Sequence, residues 1–490
     1  MDTWKTNKKS VMVSTIIFVL LISLSVISNA TDYDGWTTYT STNEVRNVSF
    51  FNDSLQVVTS GGWLKIDPVT QGMNKQTNVD GLGTGDLYDI LKDTNGSIWL
   101  AGFGRLIKYQ NSEYSPYLFI DRNDKLMPLY DIEDDGDMLW VATTTGLALF
   151  SKTNNGGQIE DFYFRFGDLN PEPTVFDIEI VGDTIWLATS AGLAMADKSE
   201  PSFLKSSINW ITFSSTQYSE LAGDTVSALA HFDDLIYLGT NKNTYKLTID
   251  AGDTSFTRIP TRDTTYVNSM TVTGDTLVIY TRKGFYIHTD SDTEWSSTWS
   301  IPSTDFFSGR FVNGVHWLGM ATKGLYYGDN GSYEKLIDDG LPGNYVTVLT
   351  VNPEGIVAGG FQSRGVAQFN GNEWISAGII GTIPNGVREG VRALSYDNDG
   401  NLWAGTWGNG AMFISPGGIT KYDENNSTLI GILGAQSYIP VNSMVSSSNY
   451  LFMTNSEAYD GRSVSVVDLD DNSEWRYFDR NDNLTSNLPV

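Results

Sequence analysis

The sequence predicts an all-β protein built from many short strands, and three observations lead to this fold class. First, one short phrase recurs along most of the 490 residues. Second, aromatic residues make up 12% of the chain and Gly occurs 48 times, which suits pleated surfaces joined by tight turns. Third, we find no amphipathic pattern of helical period over about 12 or more residues after the first thirty.

The recurring phrase is an apolar strand, a tight turn with Asp and Gly, and a second strand with a bulky residue. Clear copies begin at Asp89, Asp131, Asp177 and Ala393. Aligned on spacing, ten first strands open at Val45, Leu87, Leu129, Val175, Val226, Val267, Phe306, Val346, Val391 and Val441. The bulky positions are Gln56, Trp99, Trp140, Trp186, Tyr237, Val278, Trp317, Val357, Trp403 and Phe452.

The spacing between these two positions is nearly constant. It is 11 residues in eight copies and 12 in two copies with a longer turn. A small residue usually stands two positions further on, for example Gly359 in the eighth copy, and many third strands start with Gly. A fourth strand carries an aromatic residue, as at Trp210, Trp299 and Trp475. Copies recur every 39 to 51 residues, the period of a blade in a β-propeller.

Ten blades exceed the four to eight or so of an ordinary ring. We therefore expect one seven-bladed ring over residues 31–330 and an incomplete second ring over residues 331–490. Gly35–Tyr39 is interpreted as an outer strand that completes the last blade and closes the ring. Residues 474–490 begin what looks like an eleventh repeat, so we predict that the chain is part of a longer protein. A single ten-bladed ring is the alternative.

Residues 1–30 are typical of an export signal. Lys5, Lys8 and Lys9 precede an apolar stretch, Val11–Ile27, and small residues favour cleavage after Ala30. The alternative is an uncleaved anchor, for which this stretch is short. We find no later membrane span in the sequence and expect a periplasmic, cell-surface or secreted protein.

Composition excludes several classes of function. The chain has no Cys, which excludes disulfides, thiol catalysis and Cys-ligated zinc. A formal charge of −27 argues against nucleic acid and favours cationic partners, although a solvated acidic surface is the simpler interpretation. His231 and His316 read as packing residues, and with His288 they are the three His of the chain, too few for a Ser-His-Asp set or a His-rich metal cluster.

The phrase from Leu129 to Leu147 resembles the two-component regulator propeller repeat. The resemblance covers almost all of residues 36–490 and is most specific at Trp99, Trp140 and Trp403, among others. Members of this family occur as periplasmic sensor halves of hybrid histidine kinases and as secreted proteins. The opening residues are also similar to PorZ-like surface proteins of the type IX secretion system. The resemblance implies a fold and a compartment more firmly than a specific task.

One set of polar residues is a candidate site. The third residue of the first strand is Asp in three consecutive blades, at Asp89, Asp131 and Asp177. In a ring these carboxylates share one arc near the channel, where they either accept hydrogen bonds from neighbouring blades or bind a cation or amine. A second oxygen-rich set that suits Ca²⁺ consists of Asp121, Asn123, Asp134, Asp135 and Asp137, without the EF-hand order.

Loops supply the remaining candidates. Trp407 interrupts a turn, with Arg388 and Arg392 near in sequence, and such an aromatic either stacks on a ligand or covers a blade edge. The loops Gly340–Tyr345 and Asn385–Gly390 lead into first strands and are expected contact elements, with Tyr345 as a binding residue.

These features predict a non-catalytic propeller that recognises a glycan, peptide or protein and has no resident cofactor. The alternatives are the sensor portion of a two-component signalling protein and a polysaccharide-active enzyme. Paired carboxylates would serve such an enzyme, but most Asp residues here lie in turns that their side chains cap, as at Asp93 and Asp399.

Overall fold

The structure is a computed structural model that describes residues 37–221, 225–250, 253–259, 266–289, 306–329, 332–336, 340–377, 390–482 and 484. Within these ranges the chain forms ten antiparallel sheets, nine of four strands and one of three, each with its strands in sequential order. The all-β class and the ten repeats are confirmed. The predicted outer strand of the sixth sheet, at Trp299, lies outside the described residues, as do residues 1–30.

Each sheet is called a blade, and blades are numbered 1 to 10 along the chain. The strands of blades 1 to 4 are β1 Val45–Phe51, β2 Ser54–Thr59, β3 Gly62–Ile66, β4 Met73–Gln76; β5 Leu87–Lys92, β6 Ile98–Gly102, β7 Arg105–Gln110, β8 Glu113–Leu118; β9 Leu129–Asp135, β10 Met138–Thr143, β11 Gly146–Ser151, β12 Gln158–Tyr163; β13 Val175–Val181, β14 Thr184–Thr189, β15 Gly192–Asp197, β16 Ile211–Phe213. Those of blades 5 to 7 are β17 Val226–Phe232, β18 Leu235–Thr240, β19 Thr244–Asp250, β20 Asp253–Ile259; β21 Val267–Thr273, β22 Thr276–Thr281, β23 Gly284–Thr289; β24 Phe306–Val312, β25 Val315–Met320, β26 Gly324–Asp329, β27 Ser332–Lys335.

Blades 8 to 10 continue the same order. Their strands are β28 Val346–Val351, β29 Val357–Phe361, β30 Gly365–Phe369, β31 Trp374–Ser376; β32 Val391–Tyr396, β33 Leu402–Thr406, β34 Ala411–Ser415, β35 Gly418–Tyr422; β36 Val441–Ser446, β37 Tyr450–Asn455, β38 Val464–Asp468, β39 Trp475–Phe478. Short 3₁₀ turns span Asn78–Asp80, Asn154–Gly156, Pro201–Lys205, Ser207–Asn209 and Arg480–Asp482. Among the residues described, no helix has the length and apolar character needed to cross a bilayer.

Glycine opens a third strand where the fourth strand comes too close for a side chain. At Gly146, φ is +120° and a Cβ would lie 2.2 Å from the carbonyl oxygen of Tyr163. An L side chain there would both clash and adopt an unfavourable backbone conformation. The Gly at the start of this third strand is thus required by the close approach of the fourth strand.

The core lies between adjacent blades. Trp99 is fully buried in a cluster with Leu129 and Ile132, which belong to the next blade. The small position lets the next blade approach, since a Cβ on Gly239 would lie 2.4 Å from Cγ1 of Val267. Burying one large apolar side chain in this way contributes about 1.5–3 kcal/mol, so each blade depends on its neighbour.

The first strands of blades 1 to 7 pack in sequence, and β24 of blade 7 then packs against β1 of blade 1. At this junction Val45 and Val48 share a hydrophobic cluster with Trp317. The Val48 N–H also donates to Oγ of Ser308 at 3.3 Å. The contacts thus form a circuit of seven blades. From this circuit we propose that residues 31–330 form one ring and that residues 331–490 belong to a second.

The segment before blade 1 differs from its prediction. Residues 35 and 36 lie outside the described part, and residues 37–43 form no strand. Blade 7 already has its own fourth strand, β27, and the Tyr39 ring lies against blade 8 instead, 5.0 Å from Phe369 and 6.2 Å from Trp374. The prediction that this segment closes the ring is wrong for the described residues, because β27 already occupies the fourth-strand position of blade 7.

The alignment of blade 8 is wrong by one residue. Val348 pairs with Gly360, as Ala393 pairs with Gly405 in blade 9. The small position is therefore Gly360 rather than Gly359, and the bulky position holds Ala358 rather than Val357. The turn Asn352–Gly355 has the longer form, whose extra residue the spacing count missed. A shift of one residue moves every side chain to the other face of a strand.

Aspartates cap the hairpin turns, although not always at the expected residue. Asp93 Oδ1 accepts the N–H groups of Asn95 at 3.0 Å and Ser97 at 2.8 Å, as predicted. In blade 9 the cap is Asp397, which accepts the N–H of Asp399 at 3.0 Å, so the prediction for Asp399 is wrong. The first residue of the turn has the geometry to reach the following amides.

Candidate functional site

The three aspartates at the third position of the first strand, Asp89, Asp131 and Asp177, link consecutive blades and are called the hub. Asp89 Oδ2 accepts the N–H of Ile132 at 3.2 Å, Asp131 Oδ2 accepts that of Ile178 at 2.8 Å, and Asp177 Oδ2 accepts that of Leu229 at 2.7 Å. Each carboxylate thus holds the first strand of the next blade. Of the two roles considered from the sequence, these contacts match hydrogen bonding between neighbouring blades. They occupy one carboxyl oxygen of each aspartate.

Two glutamates extend this set, and the sequence analysis missed them. Glu133 and Glu179 stand two residues beyond Asp131 and Asp177 on the same face of their strands. Glu179 Oε2 accepts the N–H of His231 at 3.2 Å. The sequence does contain a signal for these two glutamates, since the fifth residue of the first strand is acidic in two adjacent blades.

Burial sets the protonation of this hub. Burial raises the pKa of Asp177 to about 7 and, together with the Asp177 and Asp89 charges, raises the pKa of Asp131 well above its usual value. Burial, followed by the Glu179 charge, likewise raises the pKa of Glu133. These carboxyls therefore hold protons at a pH where exposed carboxyls are ionised.

The predicted calcium residues have other contacts. Asp134 pairs with Nζ of the buried Lys152 at 2.6 Å, and Asp135 pairs with Nζ of Lys198 at 2.9 Å. Asp121 lies in a separate turn, where its Oδ1 accepts the N–H of Asn123 at 2.7 Å. In the ranges that the structure covers, no three acidic or His side chains are placed to share one metal ion. Calcium binding stays a prediction.

A cleft lies where blade 8 meets the first seven blades. One cavity of about 360 Å³ is lined by Arg46 and Asp86 on one side and by Tyr345, Gln362 and Arg364 on the other. A second cavity of about 340 Å³ adjoins it and shares Arg364 with it. Both sizes fall at the lower end of small-molecule sites, about 300–1,000 Å³. The two cavities together are called the seam cleft.

Hydrogen bonds between Ser41, Ser60, Leu341 and Asn344, called the polar clasp, join the two sides of the seam cleft. The Asn344 side chain donates to the carbonyl oxygens of Ser41 at 2.9 Å and Ser60 at 3.0 Å, and its Oδ1 accepts the Ser41 N–H at 2.6 Å. Ser41 Oγ donates to the carbonyl of Leu341 at 2.8 Å. Residues about 300 positions apart are thus fixed against each other, so the cleft is formed before any ligand arrives.

Tyr345, which was predicted as a binding residue, is among the residues that line this cleft, and its role in binding stays a prediction. Its side chain is 70% exposed, and its carbonyl accepts the N–H of Gln362 at 3.0 Å. Trp407 is 42% exposed, and the Arg392 guanidinium lies 4.3 Å from its ring centroid. The structure thus brings Trp407 and Arg392 together, whereas Arg388 lies outside the described residues.

An aromatic arc leads away from the seam cleft and was also missed. The Arg46 guanidinium lies 3.9 Å from the Tyr88 ring centroid, and Tyr88 contacts Tyr130 edge-on at 5.3 Å. Tyr130 in turn lies 5.8 Å from Phe176. Each of these residues is the second residue of a first strand. This shared position is visible in the sequence, but a search for acidic residues overlooks it. Burial raises the pKa of Tyr88 to about 12.

Two of the three histidines, His316 and His288, contact aromatic rings. His316 is buried 4.5 Å from the Phe311 ring, and burial lowers its pKa, so it is neutral near pH 7. His288 lies 5.9 Å from the Phe232 ring. The packing interpretation of His316 therefore agrees with its surroundings.

The ten sheets and their sequential strand order define an all-β fold of propeller-type blades. The family model described as two component regulator propeller matches residues 387–408, so the resemblance predicted from the sequence is confirmed for this stretch, which belongs to the ninth repeat. The comparison with curated proteins finds no match.

Solved structures are similar in fold at low identity. PorZ, an essential bacterial surface component of the type-IX secretion system of Porphyromonas gingivalis, matches with TM-score 0.64 and 16% identity over 90% of this chain and 60% of that chain. A GH74 enzyme of Niastella koreensis matches with TM-score 0.59 and 10% identity over 90% of this chain and 73% of that chain.

A third structure is the extracellular domain of a putative hybrid two component system from B. thetaiotaomicron. It has TM-score 0.47 and 16% identity over 91% of this chain and 66% of that chain. The chain thus spans less than two thirds of the length of this domain and of the PorZ structure. Because a GH74 enzyme shares the fold, the fold alone does not separate binding from catalysis.

Proposed function

We propose that this protein is an exported, non-catalytic propeller that recognises a glycan, peptide or protein at the loops around the seam cleft. The observation that carries the proposal is Tyr345, a large aromatic side chain 70% exposed at the edge of a preformed cleft of about 360 Å³. Exposed aromatic rings beside polar groups are typical anchors of binding sites. Trp407, backed by Arg392, offers a second anchor on blade 9.

The compartment and the class of partner are part of the proposal. Residues 1–30 have the pattern of an export signal, and PorZ is described as a surface component. We therefore place the protein in the periplasm, on the cell surface or outside the cell. The acidic hub is buried and hydrogen-bonded between blades, which favours a structural role for it over acid–base chemistry.

Glycan and peptide arrays test this function on the chain from residue 31. We expect the double variant Tyr345→Ala/Trp407→Ala to lose binding by about tenfold or more, since each aromatic anchor is worth roughly 1–2 kcal/mol. Phe203→Ala, which removes an exposed aromatic ring from a 3₁₀ turn elsewhere, is the matched control.

Two results would contradict the proposal. One is equal binding by the parent chain and the double variant. The other is release of new reducing ends from a glycan that the array identifies, which would make the protein an enzyme.

A further inference from the structure

The two halves of the seam cleft have different charge. They share Asn43, Thr322, Pro342 and Arg364. In the half that contains Arg46, this guanidinium pairs with Glu44 at 2.9 Å and with Asp86 at 2.8 Å, so its charge is already compensated. The other half, called the basic half, has a different lining.

The basic half is lined by Lys323, Lys335 and Arg364 and by no described acidic residue. The chain as a whole has 58 acidic and 31 basic residues, so three cations around one cavity run against its composition. Lys335 and Arg364 also interact with other groups of the protein. An ammonium has three N–H donors and a guanidinium five, so each group can hold more than one partner.

Two of these cations are placed by the same feature of neighbouring blades. Lys323 and Arg364 each precede the Gly that opens a third strand, Gly324 in blade 7 and Gly365 in blade 8. Gly324 has φ +81° and Gly365 has φ +90°, so both turns have defined geometry. Both cations therefore occupy equivalent turn positions in consecutive blades, and both line the same cavity.

We infer that the basic half of the seam cleft binds the oxyanion group of a small ligand: a carboxylate, phosphate or sulfate. Arg364 offers a planar pair of donors that matches an oxyanion, and Lys323 and Lys335 add point charges. Tyr326 and Ser376, which also interact with other groups of the protein, complete the polar part of this lining. This inference names a ligand class for the proposed recognition site and depends on the proposed function only for its biological role.

Titration calorimetry on the chain from residue 31 tests the inference. The probes are inorganic phosphate, inorganic sulfate and the matched pair glucuronate and glucose, which differ by one carboxylate. We expect glucuronate to bind at least about tenfold more tightly than glucose, the effect of one charge-assisted hydrogen bond. Binding should weaken as ionic strength rises from about 0.01 to 0.15 M, where the Debye length falls from about 30 to 8 Å. Phosphate or sulfate bound in preference to glucuronate would assign the site to free inorganic anions rather than sugar acids.

A matched pair of variants locates the site. Lys323→Glu should reduce anion affinity by about tenfold or more, and Lys323→Gln by less, because the first replaces attraction with repulsion. Lys283 occupies the same position in blade 6 and is exposed outside the cleft, so Lys283→Glu should change affinity by less than about twofold. Thermal unfolding of each variant checks that the fold is retained.

The inference is overturned if none of the anions binds, if glucose binds as tightly as glucuronate while neither phosphate nor sulfate binds, or if Lys283→Glu acts like Lys323→Glu. This outcome is separable from failure of the proposed function. Array ligands that depend on Tyr345 but not on Lys323 would support recognition without an anion site. Anion binding with no array ligand would support the site without the wider function.

Discussion

Blades 1 and 8 both have apolar residues at the same two positions of their first strands. These residues are buried at the junction between blades 7 and 1 and exposed on the outer side of blade 8. Val45 and Val48 are 0% and 1% exposed, whereas Val346 and Leu349, at the same repeat positions, are 48% and 62% exposed. The first pair faces blade 7. The second pair belongs to blade 8. Blade 7, which precedes it in the sequence, packs its first strand against blade 1 instead. Burial in this fold is therefore a property of the neighbouring sheet as much as of the residue.

The first expected effect is a difference in stability between these two sites. Val48→Ala should lower the free energy of unfolding by about 2 kcal/mol, because it leaves a void at a fully buried junction. Leu349→Ala removes more atoms but should cost less than about 0.5 kcal/mol. Urea unfolding of both variants measures the difference. Equal losses would mean that the outer side of blade 8 is covered in solution.

A second contrast concerns the hub, where blades 2 to 4 carry Asp89, Asp131 and Asp177 while blade 8 has Val348 at this position. Because the pKa of Asp177 is raised to about 7, the folded state holds a proton that the unfolded chain releases above about pH 4. Its contribution to stability is full below about pH 4 and is lost as pH rises through about 7. The loss is on the order of 1 kcal/mol per pH unit over this window.

Urea unfolding at pH 5 and pH 8 measures this dependence. Asp177→Asn should reduce the fall in stability between these values. The control is Asp121→Asn, since hydrogen bonds from the backbone N–H groups of Lys125 and Asn123 lower the pKa of Asp121 and its titration lies below the window. An unchanged pH dependence in Asp177→Asn would argue against a buried, protonated hub.

The smallest expected effect compares two adjacent glycines in blade 8. A Cβ on Gly360 would lie 2.6 Å from Cγ1 of Val391, whereas a Cβ on Gly359 comes no closer than 3.2 Å, to the Phe361 ring. Gly360→Ala should therefore destabilise the protein by about 1 kcal/mol, and Gly359→Ala by less. Thermal unfolding of the two variants distinguishes them. If Gly359→Ala destabilised the protein more than Gly360→Ala, the small position of blade 8 would be Gly359, as the sequence spacing indicates.

The sequence predicted the blades better than their contacts. Strand order, the buried Trp99 and Trp403 and the Gly at the start of third strands follow from a local pattern that each blade repeats. The register of blade 8 escaped because the turn Asn352–Gly355 is one residue longer than its apparent spacing indicates.

The seam cleft was less accessible to sequence reasoning. Tyr345 was predicted as a contact residue, but Lys323, Lys335 and Arg364 were not. They lie in two different blades, and only the way blade 8 meets blades 7 and 1 brings them together. A repeat pattern describes what the blades share, whereas this site depends on the contacts that blade 8 makes with blades 7 and 1.

The clasp between Ser41 and Asn344 has a kinetic consequence. Its partners are 303 residues apart, so the start of the folded region cannot reach its final contacts until blade 8 has been synthesised. Closing so long a loop is a slow, late step compared with hairpin formation within a blade. Refolding should therefore form individual sheets early and fasten the amino-terminal segment last, which leaves Tyr39 and the aromatic face of blade 8 exposed to misassembly in the interval.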